Sequence, residues 1–143
     1  MRILVSDSLL GARCRYDGAS KEHLAACELA RSHELVPVCP EQLGGLATPR
    51  PPAARQGERV VTKAGVDVTE QYLRGAEETL RLCQMLGCDA AVLKERSPSC
   101  GCGEIYDGTH SKTLIAGNGV TAELLAAHGI SVYGESHLKE LLK

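Results

Sequence analysis

Residues 90–93 read Ala-Ala-Val-Leu, an apolar run with no side chain suited to water. It is short, it follows Gly87-Cys88-Asp89, and it ends at Lys94-Glu95-Arg96. A run of that length and bounding reads as a strand covered on both faces, hence a central one. The stretch before it carries a helical signature over 70–86. Thr69 stands as N-cap, Glu70 suits the positive end of the helix, and Gly87 ends it. Leu73, Ala76, Leu80 and Cys83 recur at helical spacing and predict its buried face. Further on, a helix over 121–128 is stopped by Gly129, and 130–133 reads as another strand. Ser136 can cap a terminal helix.

Toward the N-terminus the same alternation appears. Arg-Ile-Leu-Val-Ser at 2–6 reads as a first strand, Ser20 as the cap of a helix over 21–32, and 34–38 as a second strand. Strands alternating with helices predict a parallel sheet with right-handed crossovers. The expectation is a single α/β domain over 1–143: a mostly parallel, Rossmann-like, four-stranded sheet with helices on both faces. Ligands of such sheets bind at the carboxyl ends of the strands. Ser8 follows the first strand, Cys39 the second, and Cys100 lies in the loop after the third, so all three should face one crevice.

Two long loops interrupt the pattern. Residues 40–58 hold Pro40, Pro49, Pro51 and Pro52 with Gly44 and Gly45, which predicts a stiff segment without regular structure. Long ordered loops in compact domains are usually functional. A hairpin is expected next, 59–61 against 66–68, around Ala64-Gly65. The second loop runs over 94–118 and includes Asp107-Gly108, suited to a tight turn.

The chain has 143 residues, close to the commonest domain size. It lacks Phe and Trp, so its core must be aliphatic. Net charge is −2 and no basic cluster stands out, which argues against a grip on long nucleic acid and for a small ligand. The start, MRILVS, is a poor leader and a good strand, and no apolar stretch approaches a membrane span. The expectation is a cytoplasmic protein. Its seven cysteines form neither an even disulfide framework nor a C-x-x-C pair. In a reducing compartment such clustering points to metal binding or chemistry.

Cys39-Pro40-Glu41 pairs a thiol at a strand end with a carboxylate able to move protons beside it. Ser97-Pro98-Ser99-Cys100-Gly101-Cys102-Gly103 is the strongest local signal, because small residues and glycines let backbone amides approach a bound group. Cys14, ahead of Arg15-Tyr16-Asp17-Gly18, is a reserve ligand near the crevice. Cys27, Cys83 and Cys88 read as core cysteines, and Cys102 as a bystander. The five histidines show no metal-ligand spacing; His110 is a candidate substrate contact. Lys94-Glu95-Arg96 reads equally as a solvated loop or as a ligand contact.

Together VSxxLLGxxCRYDG at 5–18, PVCPEQLGGLATPRPP at 37–52, DVTEQYLRGAEETL at 67–80, LKERSPSCG at 93–101 and IYDG at 105–108 resemble the thiouracil desulfidase family over nearly the whole chain. The resemblance implies an enzyme with a [4Fe-4S] cluster held by three cysteines, one iron being left open for substrate sulfur. The reaction it implies is non-redox: a thiolated uracil or small thionucleotide loses sulfide and gains oxygen from water. The family's cluster cysteines fall on Ser8, Cys39 and Cys100, its catalytic acid on Glu41, and a serine of its last motif on Ser97. Thiolates suit iron–sulfur clusters, and an iron without a protein ligand is a Lewis acid.

One position departs from that pattern. Ser8 puts a hard, high-pKa hydroxyl where the family has a thiolate. Three accounts stay open: an introduced substitution, a natural variant with a labile cluster or with Cys14 moving in, or a divergent member that lost the cluster and only binds a ligand. The competing function is a cluster-free nucleobase- or nucleotide-binding protein. An electron carrier fits less well, since such clusters have complete ligation, and thiolated tRNA fits the near-neutral charge poorly.

Overall fold

The computed structural model describes residues 1–19, 23–109, 113–138 and 141. Four parallel strands form the main sheet: β1 (Arg2–Ser6), β2 (Glu34–Val38), β5 (Ala90–Leu93) and β8 (Ser131–Gly134). Their order is β2-β1-β5-β8, so β1 and β5 are central, as the apolar run at 90–93 requires. Successive residues of β1 and β5 face opposite layers. Ile3, Val5 and Val92 pack with Ala26 and Leu29 on one face. Leu4, Ala91 and Leu93 pack with Cys83, Ala122 and Leu125 on the other. Burying each Leu or Ile there stabilises by roughly 1.5–3 kcal/mol. The expected α/β sheet with helices on both faces is the observed one.

The helices are α1 (Leu24–Glu28), α2 (Pro40–Leu43), α3 (Thr69–Met85) and α4 (Val120–Ala127). Several expectations need correction. The helix expected over 21–32 is a single α turn continued by a 3-10 turn, Leu29–Arg31. Its cap is His23, whose ring nitrogen accepts the Ala26 N–H at 3.4 Å; Ser20 lies outside the described residues. The proline-rich segment over 40–58 is partly regular. Pro40 sits at the first position of α2, where its missing N–H costs nothing. Residues Ala53–Gln56 form β3, antiparallel to β4 (Arg59–Thr62). The anticipated hairpin around Ala64-Gly65 is present as a short one: the Thr62 and Val68 amides bond the Val66 and Val60 carbonyls, both at 2.9 Å, on either side of a Val61–Asp67 bridge. The loop over 94–118 likewise holds a hairpin, β6 (Glu104–Tyr106) with β7 (Leu114–Ala116).

The long helix begins at Thr69 rather than after it. The Thr69 hydroxyl accepts the Val60 N–H at 2.9 Å, so it ties β4 to the helix instead of capping it. Its buried face holds Ala76 and Cys83 as expected, with Leu80 packed against the core, but not Leu73. Tyr72, Gly75, Ala76, Thr79 and Cys83 point inward, and Leu73 is 47% exposed. The cause is α2, which lies against α3 backbone to backbone. A Cβ on Gly75 would stand 2.0 Å from the Pro40 carbonyl oxygen, and one on Gly44 would stand 1.9 Å from that of Gln71. Only glycine allows that approach. It fixes the segment after β2 against the longest helix of the domain. The terminal helix anticipated after Ser136 falls largely outside the described residues, and Ser136 bonds Glu95 instead.

Candidate active site

Three strand exits meet at one end of the sheet. After β1 the chain makes a 3-10 turn, Asp7–Leu10, closed by Gly11 at φ 104°. Ser8 lies inside this turn at 6% exposure. The following loop brings Cys14 back, also at 6%. After β2, Cys39 precedes α2 and Glu41 sits in its first turn. After β5, the Ser6 hydroxyl accepts the Lys94 N–H at 2.9 Å and so joins two strand ends. The chain then turns through Ser97-Pro98-Ser99-Cys100. The Ser97 hydroxyl accepts the N–H groups of Ser99 and Cys100, both at 3.1 Å, which sets the loop's shape. Gly119, at the start of α4, backs onto this loop; a Cβ there would lie 2.4 Å from the Ser99 carbonyl carbon.

These exits surround a cavity of about 550 Å³, lined by Ser8, Cys14, Cys39, Glu41, Ser97 and Cys100. That volume suits a small ligand. The convergence expected from topology is thus present, and Cys14 joins it. Lys94, Glu95 and Arg96 also line the cavity, which favours the ligand-contact reading of that run. Arg96 holds φ at 67°, unusual for a residue with a side chain. Cys27, Cys83, Cys88 and Cys102 lie elsewhere; their thiols face backbone carbonyls or the core. His110 lies outside the described residues.

Glu41 is the central polar group. Its Oε2 pairs with Arg50 Nη2 at 2.9 Å, with side chains 15% and 7% exposed. Its Oε1 is buried and has no hydrogen-bond partner among the described residues. Burial pushes the Glu41 carboxyl above the usual carboxylate range, while Arg50 and the nearby Ser99 hydroxyl pull it back. Ser99 itself bonds Thr121 at 2.7 Å and stays only close to the carboxylate. An uncompensated buried acceptor beside a cavity is a costly feature that a ligand can redeem.

Arg50 escaped the sequence reading. The prolines of Thr48-Pro49-Arg50-Pro51-Pro52 signalled stiffness, and the single cation among them was passed over. In the structure its backbone N–H bonds the Tyr16 carbonyl at 2.6 Å while its guanidinium holds Glu41. It therefore links the exits of β1 and β2.

The three cavity thiols, Cys14, Cys39 and Cys100, are all buried. Cys39 faces Cys14, with its sulfur 3.8 Å from the Cys14 carbonyl oxygen. Interaction with Cys14, together with burial, pushes the Cys39 thiol well above the ordinary cysteine range, and the same interaction draws Cys14 down. Burial, with Glu41 nearby, pushes Cys100 well up. Unassisted, Cys39 and Cys100 stay protonated at neutral pH; a bound metal would deprotonate them. No group of three His, Cys, Asp or Glu among the described residues is placed to hold a single metal ion.

A family model described as 2-thiouracil desulfurase matches residues 3–137. The chain belongs to that family. The match spans every exit that builds the cavity. Among solved structures, a [4Fe-4S]-dependent thiouracil desulfidase, TudS, superposes with a TM-score of 0.90 at 50% identity, covering 98% of this chain and 94% of that one. YbbK, an uncharacterized protein of Bacillus subtilis (strain 168), is 43% identical over 150 residues, covering 98% of this chain and 99% of its own length. Among the described residues no helix is long and apolar enough to cross a membrane.

Proposed function

We propose that this protein removes sulfur from a thiolated uracil or a small thionucleotide, using a [4Fe-4S] cluster seated among Cys39, Cys100 and a third ligand at the β1 exit. Membership in the 2-thiouracil desulfurase family and the likeness to a [4Fe-4S]-dependent thiouracil desulfidase support this reading. The observation that carries it is the placement of buried thiols and an unpartnered carboxylate oxygen on one cavity. The donor set suits a cluster better than a lone ion, since three of the four irons would each take a separate thiolate. At the position that the resemblance gives to the third cysteine, the chain offers the Ser8 hydroxyl, with Cys14 on the same wall.

Bound there, the cluster would supply an iron without a protein ligand, a Lewis acid toward a thione sulfur. The chain's own residues supply the rest. Glu41, held through Oε2 by Arg50, keeps Oε1 free to take a proton from water and return it to the ring nitrogen. For a substrate bound as its ring-deprotonated anion, the water oxygen forms a bond to carbon, the carbon–sulfur bond breaks, one water proton passes through Glu41 to the ring nitrogen, and sulfur leaves with the other as hydrosulfide. No electrons are exchanged. Ser97 shapes the loop that presents Cys100, and its hydroxyl proton remains available to a ligand in the cavity.

The test is sulfide release from 4-thiouracil and 2-thiouracil by protein reconstituted without oxygen. The iron-loaded protein should release one sulfide per uracil formed, and Glu41→Gln should slow it by about 10²–10⁴-fold with iron content unchanged. Uracil derivatives that raise the melting temperature equally with and without iron, with no sulfide released, would favour the cluster-free binding protein instead.

A further inference from the structure

We propose that Cys14, and not Ser8, supplies the third thiolate of the cluster site, an inference that rests on the cluster reading above. Three of the seven cysteines line the cavity: Cys14, Cys39 and Cys100. The resemblance asks for three, and assigns one of them to a serine. Among the described residues the Ser8 hydroxyl has no hydrogen-bond partner, so nothing around it prepares its oxygen to ionise. A serine oxygen is a hard ligand that keeps its proton at neutral pH, whereas iron–sulfur sites draw on thiolates.

Cys14 has the correct chemistry and a place that is held. It belongs to the same strand exit as Ser8, six positions on, so the exit still contributes one ligand. The Gly11 and Ala12 amides bond back to Ser8 and Asp7 at 3.2 and 3.3 Å, which folds the loop over the end of β1. On its far side the Arg15 amide bonds the Ala19 carbonyl at 3.1 Å. The Arg50 amide bonds the Tyr16 carbonyl at 2.6 Å and ties that side to the segment after Glu41. Between these ties Cys14 is buried and faces Cys39, a residue of the proposed cluster site. On binding, the Cys14 thiol would give its proton to solvent and its sulfur would hold one iron. The site then has three thiolates and leaves one iron without a protein ligand.

The experiment compares the unsubstituted protein with Cys14→Ala, Cys14→Ser, Ser8→Ala, Ser8→Cys and the double variant Ser8→Cys/Cys14→Ala. Each is reconstituted anaerobically with ferrous iron and sulfide. Iron and acid-labile sulfide per chain are measured, with the electron paramagnetic resonance spectrum of the reduced protein. The unsubstituted protein and Ser8→Ala should each hold about four irons, and both Cys14 variants about one or fewer. The double variant should regain about four, which shows that loss in Cys14→Ala is a loss of ligand and not of fold. Circular dichroism of the metal-free variants checks the same point. Full iron in the Cys14 variants, or an equal loss in Ser8→Ala, would overturn the proposal. If the unsubstituted protein stays iron-free while Ser8→Cys loads, Cys14 is not the ligand and the cluster reading survives. If neither loads, the cluster reading itself fails, and the proposal with it.

Discussion

The exits of β2 and β5 and the exit of β1 deliver sulfur to the same cavity by different means. After β2, Cys39 is anchored by two helices in backbone contact at Gly44 and Gly75. After β5, Cys100 is set by the Ser97 hydroxyl and backed by Gly119 at the start of α4. Both positions are built into the scaffold, and neighbouring backbone leaves no room to relocate them. After β1 the chain makes a 3-10 turn and then a loop, so two residues six apart reach the cavity wall, Ser8 and Cys14. The contrast would let a ligand position move at the β1 exit without the fold changing. A position held by close backbone packing is tied to its residue number; one held by a returning loop is not.

The comparison breaks most sharply at Gly75. A methyl group there meets the Pro40 carbonyl, so α2 must leave α3. Gly75→Ala should cost about 3 kcal/mol in urea unfolding and displace Cys39 and Glu41, with iron binding lost alongside. An unchanged unfolding midpoint would mean that the β2 exit is no stiffer than the β1 loop.

Arg50 offers a milder cut, because it joins the two kinds of exit. Removing it leaves Glu41 buried without a partner, though burial already favours the protonated carboxyl and limits the loss. Arg50→Met should therefore cost about 2 kcal/mol, with Arg50→Lys recovering part of it. Equal stability of the Met and Lys variants would show that the ion pair contributes nothing beyond packing.

The smallest effect is expected in the β1 exit itself. Gly11 closes the 3-10 turn at φ 104°, in a region that side chains rarely adopt. Gly11→Ala should cost about 1 kcal/mol, and a returning loop should absorb the change with Cys14 still able to load iron. Loss of iron there, at nearly full stability, would make the β1 exit as rigid as the other two.

Much of this protein was legible before folding was considered. The apolar run at 90–93, flanked by a periodic helix and a second strand–helix pair, sufficed for a parallel α/β sheet. The sheet rule then placed Ser8, Cys39 and Cys100 at one end. Boundaries were less legible, and for local reasons. The segment over 40–58 looked irregular because prolines usually break structure, yet Pro40 occupies the one helix position where proline costs nothing. On α3 Ala76 and Cys83 were legible, but Leu73 was expected inward because it outranks Gly75 in hydrophobicity, while contact with α2 demanded the smaller residue.

What the sequence by itself determined is the fold class, the end of the sheet where chemistry belongs, and the inventory of thiols and acid. Periodicity and residue type carry those, since they depend on neighbours along the chain. Tertiary structure alone decided that Cys14 lies against Cys39, that Arg50 holds one oxygen of Glu41, and that the other oxygen is left unpartnered. Those facts join strand exits distant along the chain. Only the folded sheet brings them within reach of one another.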